Sequence, residues 1–479
     1  MNQKIIFKLV YETSVAAQMD VYAVGGFVRD ELLEIQQKKD IDFVVIGSGL
    51  SFAKKFDEMF EGEGSLVEFP DFDTARFVIL DEHREKKLFE LEFAGARTES
   101  YHENSRKPVV TATSLEEDLR RRDFTINAMA RKVLSSGISK KVIDPFDGQK
   151  DLKDKIIRTP LDPDETFHED PLRMMRAARF ASQLGFTLKE EVLLSMHRNR
   201  ARLKIISKER IAEELMKIMA TKVPSLGLQL LHGTKLMDEF LPEVTALAGV
   251  EEVKGYSHKE NLSHTFAVVD NIASYSDKPL LRFAGLMHDI AKPATKQFDS
   301  KRGWTFDMHE HLGKKMTWEI GKRLRMKKGD IHYVAELVRW HLQPIALMDE
   351  GVTDSAVRRL VVNLQEDLDD LLVLCRADIT TGNQKKKARR LKNYDVLEQR
   401  IKEVLEKDKL RAFQSPVRGE EIMEKCDLKP GPTVGEIKEE IERAILDGEI
   451  PNEYEPALEY FEKIKDQYMG KAHDWEKIA

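Results

Sequence analysis

Cysteine is nearly absent from this chain: Cys375 and Cys426 are the two among 479 residues. They lie far apart, form no disulfide framework, and suit a reducing cytoplasm. Long apolar runs are missing as well. No stretch approaches the roughly 18 residues that a spanning helix needs, so no membrane segment is expected. The N-terminus, MNQKIIFKLVYETS, has only a short apolar run and no small-residue cleavage site, so no signal peptide is expected. Internal repeats and low-complexity tracts are also lacking. What is present is length and charge. A chain of 479 residues exceeds one ordinary core and implies three or four domains. Charged residues make up 34% and hydrophobic residues 41%, the balance of a globular protein with charged helical surfaces. The net charge of −7 speaks weakly against nucleic acid binding over the whole surface but leaves room for a local basic stripe. Basic residues cluster at Arg173 to Arg179, His197 to Arg210 and Lys385 to Lys392. Any one cluster also reads as a solvated helix face.

The first 150 or so residues alternate strand-like and helix-like patterns. Val21 to Val24 reads as a strand, Gly25-Gly26 as a turn and Val28 to Gln36 as a helix. Ile41 to Ile46, Ala75 to Leu80 and Leu88 to Phe93 read as further strands. Beyond about Pro160 the spacing turns helical. Leu172, Met175, Ala178, Phe180 and Leu184 can share one face. Later helices are expected over Leu262 to Ser274, Pro279 to Ala291, His311 to Leu324 and Ile331 to His341, with breaks near Gly233, Gly255, Gly303 and Gly351. The expected fold class is α+β: a small α/β head followed by an all-α body.

The head carries candidate phosphate chemistry. In Val24-Gly25-Gly26-Phe27-Val28-Arg29-Asp30 a glycine turn follows a strand and opens a helix, so the backbone can approach a phosphate closely. Arg29 could add a fixed cation. Asp40 and Asp42 are two apart at the start of a strand and point to one face. Two carboxylates so placed would repel unless they share a cation, and metal ions held there could activate a hydroxyl and steady a leaving pyrophosphate. Alone, either motif reads equally as a solvated turn; in this order on strand, helix and strand they make a site. Glu92 is the candidate third carboxylate, though Glu90 has the same parity.

The body carries a different set: His264, His288-Asp289 at the end of an apolar helix, His309-Glu310, His341 and Asp378. A single histidine on such a helix is usually packed core. An adjacent His-Asp pair needs partners, and imidazole with carboxylate suits Mn²⁺, Fe²⁺, Ni²⁺ or Mg²⁺.

These motifs, taken in order, resemble class II tRNA nucleotidyltransferases, the superfamily of bacterial CCA-adding enzymes and poly(A) polymerases. The matching pieces are GGFVRD with DID, FDTAR (Phe72 to Arg76), RRRDFTINAMA (Arg120 to Ala130), DPFDGQKDL (Asp144 to Leu152), EDPLRMMRAARFASQLGF (Glu169 to Phe186) and SKERIAEEL (Ser207 to Leu215). The resemblance implies that Asp40 and Asp42 bind Mg²⁺, with Glu92 rather than Glu90 completing the catalytic set. It implies that Gly25, Gly26 and Arg29 support the triphosphate and that Arg122 and Asp123 contact the ribose. Asp170 and Arg173, read as i, i+3 on one helix, would select the base, beside Arg176 and Arg179 in the nucleotide site. The polar stretch Arg97 to Asp118 resembles the flexible loop needed to switch from C to A. The order of histidines and aspartates resembles the HD superfamily of metal-dependent phosphohydrolases. This implies that His264, His288, Asp289 and Asp378 hold Mg²⁺ or a transition metal, with His309 and His341 completing a second position or contacting phosphate. The segment Pro416 to Ile437 resembles the tail motif of HD-bearing members, its Pro-Gly-Pro turn offering a place for an RNA phosphate.

The implied layout is a head at 1–158, a helical neck at 159–220, an HD domain at 221–395 and an RNA-binding tail at 396–479. The implied activity is addition of CMP, CMP and AMP from CTP and ATP to the 3′ end of tRNA in the cytoplasm, with a possible second phosphohydrolase activity. Three rivals stay open. A poly(A) polymerase would make long A tails without using CTP. A phosphohydrolase with a merely RNA-docking head would keep its main activity in Asp40→Ala. The HD domain could also be a degenerate RNA-binding body. The sequence leaves the oligomeric state open.

Overall fold

The computed structural model describes residues 2–35, 39–100, 109–249, 252–253, 256–257, 260–348, 353–408, 415–470 and 472–477. The chain forms two compact units, Met1–Pro242 and Glu243–Ala479.

In the first unit a helix, Gln3–Ala17, precedes β1 (Val21–Val24), β2 (Asp40–Val45), β3 (Gly64–Phe69), β4 (Thr74–Leu80), β5 (Lys87–Gly95), β6 (Arg97–Ser100), β7 (Val109–Ala112), β8 (Ala130–Leu134) and β9 (Gly137–Ile138). Seven of these make one sheet in the order β3-β4-β5-β2-β1-β8-β9. Only β2 and β5 run parallel in it; the other neighbours are antiparallel. β6 and β7 pair as a separate hairpin, so the stretch expected as a loop carries ladder hydrogen bonds. Residues 101–108 of that stretch lie outside the described residues.

One face of the sheet is apolar. Ile41 and Phe43 of β2 and Leu91 and Phe93 of β5 are buried, while Asp40 and Asp42 between them are exposed. The period of two makes this sorting automatic. Phe43 stacks on Phe93 at 5.3 Å, and Phe52 and Phe56 of the Gly49–Met59 helix close over Phe93 at 5.1 and 5.2 Å. Each such ring removed from water stabilises by about 1.5–3 kcal/mol. The acidic positions are thereby driven to the opposite face.

Helices Pro163–Glu169, Leu172–Leu184, Glu190–Asn199, Lys208–Met219 and Pro224–Gly233 complete this unit. On the second of them Leu172, Met175, Ala178 and Phe180 are buried as their spacing predicts. It stops at Gly185, whose φ of 68° and N–H to Ala181 O make a left-handed C-terminal cap.

In the second unit, helices Asn261–Tyr275, Pro279–Met287, His309–Arg323, Lys328–Trp340 and Leu368–Ala377 pack around a shared core. The second ends at Met287 and not Ala291: the chain tightens into turns, with Ile290 N–H on the Met287 carbonyl and Lys292 N–H on that of Asp289, before a short helix at Lys292–Thr295. The body is not wholly helical. Gln297–Asp299 pairs antiparallel with Gly303–Thr305, Asp299 accepts the N–H groups of Lys301 and Arg302 in the turn, and Phe298 meets Trp304 edge-on. The expected breaks at Gly255 and Gly351 lie outside the described residues. A long helix, Gln384–Asp408, follows, and then Gly419–Cys426, Pro432–Leu446 and Tyr454–Met469 gather around Ile422, Ile437, Ile441 and Phe461. Among the described residues no helix is long and apolar enough to cross a membrane.

Candidate active sites

The first site forms where β1 ends. Gly25 has φ 68° and ψ −136°, a conformation closed to residues with a side chain, and it leads into the Gly26–Leu32 helix. Val24 pairs with Asp42 across β1 and β2, Asp40 pairs with Glu90, and Asp42 pairs with Glu92 across β2 and β5. Four carboxylates therefore share one sheet face beside the glycine turn. Two cations sit among them. Lys87 Nζ lies 3.3 Å from Asp40 and 2.9 Å from Glu90, and Arg76 lies 3.0 Å from Glu90 and 3.8 Å from Glu92. Glu90 is thus engaged by Lys87 and Arg76, and Glu92 is the register partner of Asp42. Although Asp42 is exposed, the atoms crowded around its carboxyl reduce its hydration and raise its pKa. Asp40 and Glu90 push the same way, while Arg122 and Arg176 oppose. A carboxylate destabilised in this way suits a cation.

Arg122 is the guanidinium nearest the turn. A Cβ on Gly25 would stand 3.0 Å from its Nη1 and 3.5 Å from Asp42 Oδ2. Asp118 holds Arg122 Nη2 at 3.2 Å.

Several of the expected residues are held by partners within the protein. Arg29 is 2% exposed, with Nε and Nη2 on Asp30 at 2.8 and 2.6 Å and Nη1 on Asn127 at 2.7 Å. In this arrangement it braces the turn from inside. Asp123 is 7% exposed. Its Oδ1 accepts from Phe124 N and Asn127 Nδ2, each at 2.9 Å, and its Oδ2 from Arg176 at 2.8 and 2.6 Å. Burial opposes ionisation of Asp123, but Arg176, Asn127 and Arg173 outweigh it and hold the pKa down to about 2. Arg179 pairs with buried Glu214 at 3.3 Å, and burial with nearby Arg176 lowers its pKa to about 10. Arg29, Arg176 and Arg179 all rest on the Phe180 ring, at 5.0, 5.4 and 4.3 Å. Asp170 does not share a helix with Arg173. It sits in extended conformation at the junction before the Leu172–Leu184 helix, where its Oδ1 accepts the Leu172 N–H at 3.1 Å. Arg173 is steadied by Glu169 at 2.7 Å and by the Arg121 carbonyl at 2.9 Å. Asn127, Glu169 and Glu214 were not singled out from the sequence, and Phe180 was read only as part of an apolar helix face. The spacing of Glu169 four residues ahead of Arg173 was the one available signal.

The second site brings together all six residues expected of it. His264, His288 and Asp378 form one cluster of donor atoms, and Asp289, His309 and His341 form another, each within 4.8 Å. His264 Nε2 lies 2.9 Å from Asp378, and His288 Nε2 lies 3.2 Å from Asp289 Oδ2. His309 Nε2 lies 3.4 Å from Asp289 Oδ1 and 3.4 Å from His341 Nε2. Every outer nitrogen is taken. Nδ1 of His288, His309 and His341 faces the carbonyls of Gly285, Phe306 and Val338 at 2.7 Å, and Nδ1 of His264 faces the Thr380 hydroxyl at 2.8 Å. Such outer partners fix the ring and aim the free nitrogen inward, as metal ligation requires. Burial disfavours a charged His288, yet Asp289 and Asp378 raise its pKa to about 10. Burial and His288 lower His341 to about 4. The cavity calls for positive charge, and the donor set fits divalent cations. Lys292 Nζ, 2.6 Å from Asp289 and over the Phe306 ring, was missed from the sequence, as was Thr380. Lys292 follows Asp289 by three residues.

The Pro-Gly-Pro turn of the tail is not open to a phosphate. Glu476, fully buried, accepts the Thr433 N–H at 2.9 Å and its hydroxyl at 3.0 Å, and so caps the Pro432–Leu446 helix from within.

Family profiles match along the chain: "Poly A polymerase head domain" over residues 21–158, "Probable RNA and SrmB- binding site of polymerase A" over 185–247, "HD domain" over 261–383, and tRNA nucleotidyltransferase domain 2 over 356–461. The A-adding tRNA nucleotidyltransferase of Deinococcus radiodurans is 32% identical over 70% of this chain and 76% of its own length. The multifunctional CCA protein of Vibrio parahaemolyticus is 32% identical over 75% of this chain and 85% of its own. Among solved structures, the Bacillus stearothermophilus CCA-adding enzyme in complex with CTP shares the fold with a TM-score of 0.66 at 21% identity, covering 98% of this chain and 100% of that one. The Thermotoga maritima CCA-adding enzyme complexed with tRNA gives 0.56 at 22%, covering 97% and 96%.

Proposed function

The chain belongs to the class II tRNA nucleotidyltransferase family of multifunctional CCA proteins, with a Poly A polymerase head and an HD domain, and on that premise we propose that it rebuilds the CCA end of tRNA. The tRNA 3′-hydroxyl attacks the α-phosphate of CTP or ATP in line, and pyrophosphate leaves. The observation that carries this reading is the register that sets Asp42 between Val24 at the glycine turn and Glu92 on β5. Asp40 and Asp42, with Glu92 beside them, are the ligands for Mg²⁺, which when bound lowers the pKa of the attacking hydroxyl and screens the leaving group. Gly25 lets the triphosphate approach the backbone, Gly26 continues the turn, and Arg122 supplies the cation that Arg29 does not. Asp170 and Arg173 offer an acceptor and donors to the base edge, and C and A both present an amine donor beside a ring acceptor. Asp123, Arg176, Asn127 and Arg29 hold the Leu172–Leu184 helix, which carries Arg173, against the turn. The proposed division is head 1–158, neck 159–220, HD domain 221–395 and tail 396–479, in the cytoplasm.

At the second site His264, His288, Asp289 and Asp378, with His309 and His341, are the ligands for a transition metal ion or Mg²⁺, which when bound activates water against a phosphoester. Lys292 orients Asp289.

The test is tRNA lacking its last three nucleotides, with Mg²⁺ and with CTP and ATP supplied separately and together. Two additions with CTP and three with both, lost in Asp42→Ala, uphold the reading. The A-adding relative favours a second reading, addition of A alone to tRNA already ending in CC. In that case CTP is not used and one residue is added from ATP. Long tails from ATP alone would mean a poly(A) polymerase.

A further inference from the structure

The Gln384–Asp408 helix has a charged face that neither reaction uses. Its first nine residues include Lys385, Lys386, Lys387, Arg389, Arg390 and Lys392 and no carboxylate. Helical spacing sets Lys385, Arg389 and Lys392 in one row flanked by Lys386 and Arg390. The opposite face is the one on which Tyr394, Leu397 and Ile401 are buried. All six cations but half-buried Lys387 are exposed, and among the described residues none of the six joins an ion pair. The first acids on the helix, Asp395 and Glu398, are taken by Arg376, each at 2.8 Å. Cations crowded at a helix start repel one another and oppose the helix dipole, a cost that packing alone does not call for.

The row begins beside the HD centre. Asn383 Oδ1 caps the helix by accepting the Lys386 N–H at 3.0 Å. Three residues earlier Thr380 touches His264, and two before that comes Asp378. Asp378 is the open edge of the centre: its side chain is 27% exposed, and those of the other five ligands are 8% or less. From Thr380 to Gln384 is at most about 14 Å of extended chain. Asp378, the most exposed of the six ligands, thus stands seven residues ahead of Lys385, the first cation of the row.

We propose that this row docks the phosphodiester backbone of RNA, so that the HD centre hydrolyses a phosphoester at the end of an RNA strand in preference to a free nucleotide. The inference rests on the phosphohydrolase reading of the centre. In the step itself the water oxygen bonds to phosphorus, the P–O bond to the ribose breaks, and the released ribose oxygen takes a proton.

The full chain, loaded with metal, is given two substrates: a short single-stranded RNA ending in a 2′,3′-cyclic phosphate, and free 2′,3′-cyclic AMP. The triple variant Lys385→Gln, Arg389→Gln, Lys392→Gln is compared with the parent over a range of salt. The expected result is a KM for RNA raised about tenfold or more with kcat kept, and cyclic AMP hydrolysis unchanged, which also reports a folded centre. The salt dependence of the RNA KM should weaken by about two in log–log slope, at roughly 0.7 per phosphate contact on a single strand. Equal effects on both substrates, or none on RNA, overturn the docking and leave the hydrolase reading standing. If the parent hydrolyses neither substrate, the hydrolase reading fails and this inference falls with it.

Discussion

Gly25 and Arg122 stand so close that a side chain on the glycine would meet the guanidinium, its Cβ 3.0 Å from Nη1. The turn after β1 thus lies against Arg122, two residues past the Leu115–Arg120 helix, and against Asp42. The first prediction concerns this point. Gly25→Ala must adopt φ 68° and ψ −136° with a Cβ, at a cost of about 1–3 kcal/mol, and must displace Arg122. Nucleotide addition should fall at least about tenfold. A single-turnover assay with unchanged rates would show that the turn does not approach the substrate.

Asp42→Ala removes the carboxylate between the turn and Glu92. Addition should drop by at least about a hundredfold, while phosphoester hydrolysis at the HD centre stays at the parent rate. Loss of both activities would mean that the two centres are one system and would contradict the separate roles assigned here.

Asp289→Asn should do the reverse. It removes charge from the middle of the histidine cluster, so bound metal, measured by elemental analysis of the purified protein, should fall together with hydrolysis. CCA addition should continue. A variant that keeps its metal would show that Asp289 is not a ligand.

Thr380→Val deletes the partner of His264 Nδ1, a group outside the cluster. Loss of such an outer partner typically weakens metal affinity by about 10–100-fold. Titration with a chelator checks this, and retained affinity would assign His264 another means of support.

Asp123 predicts a pH effect on stability. Its folded pKa of about 2 is below the ordinary aspartate value of 3.8, so the Asp123–Arg176 pair stabilises the fold above about pH 4. That contribution, on the order of 2 kcal/mol, disappears as pH falls through the folded value. Urea unfolding of Asp123→Asn and the parent should therefore differ at neutral pH and converge toward about pH 2. A constant gap would mean that Asp123 titrates alike in both states.

The glycine turn, the two aspartates and the six HD residues were legible because each announces itself by local pattern. Period two at Asp40 and Asp42 sorts carboxylates from Ile41 and Phe43, and a His-Asp pair closing an apolar helix must find partners. The arginines were not legible in this way. Arg176 and Arg179 read as ligand cations, yet their partners Asp123 and Glu214 are 53 and 35 residues away, and Arg29, besides its neighbour Asp30, bonds Asn127 98 residues on. Charge is visible in a sequence, but whether tertiary packing has already neutralised it is not. β3 escaped notice because it buries little, and the Gln297–Thr305 hairpin because its strands are only three residues long.

Asp289 gives one oxygen to each half of the histidine cluster. Oδ1 faces His309 and His341, at 3.4 and 3.9 Å, and Oδ2 faces His288 and His264, at 3.2 and 3.7 Å. A carboxylate is planar and turns as one body. Lys292 Nζ, 2.6 Å from Oδ2, already holds that body in place, so Oδ1 stays aimed at His309 and His341. A displacement on one side of the carboxylate is therefore passed to the histidines on the other.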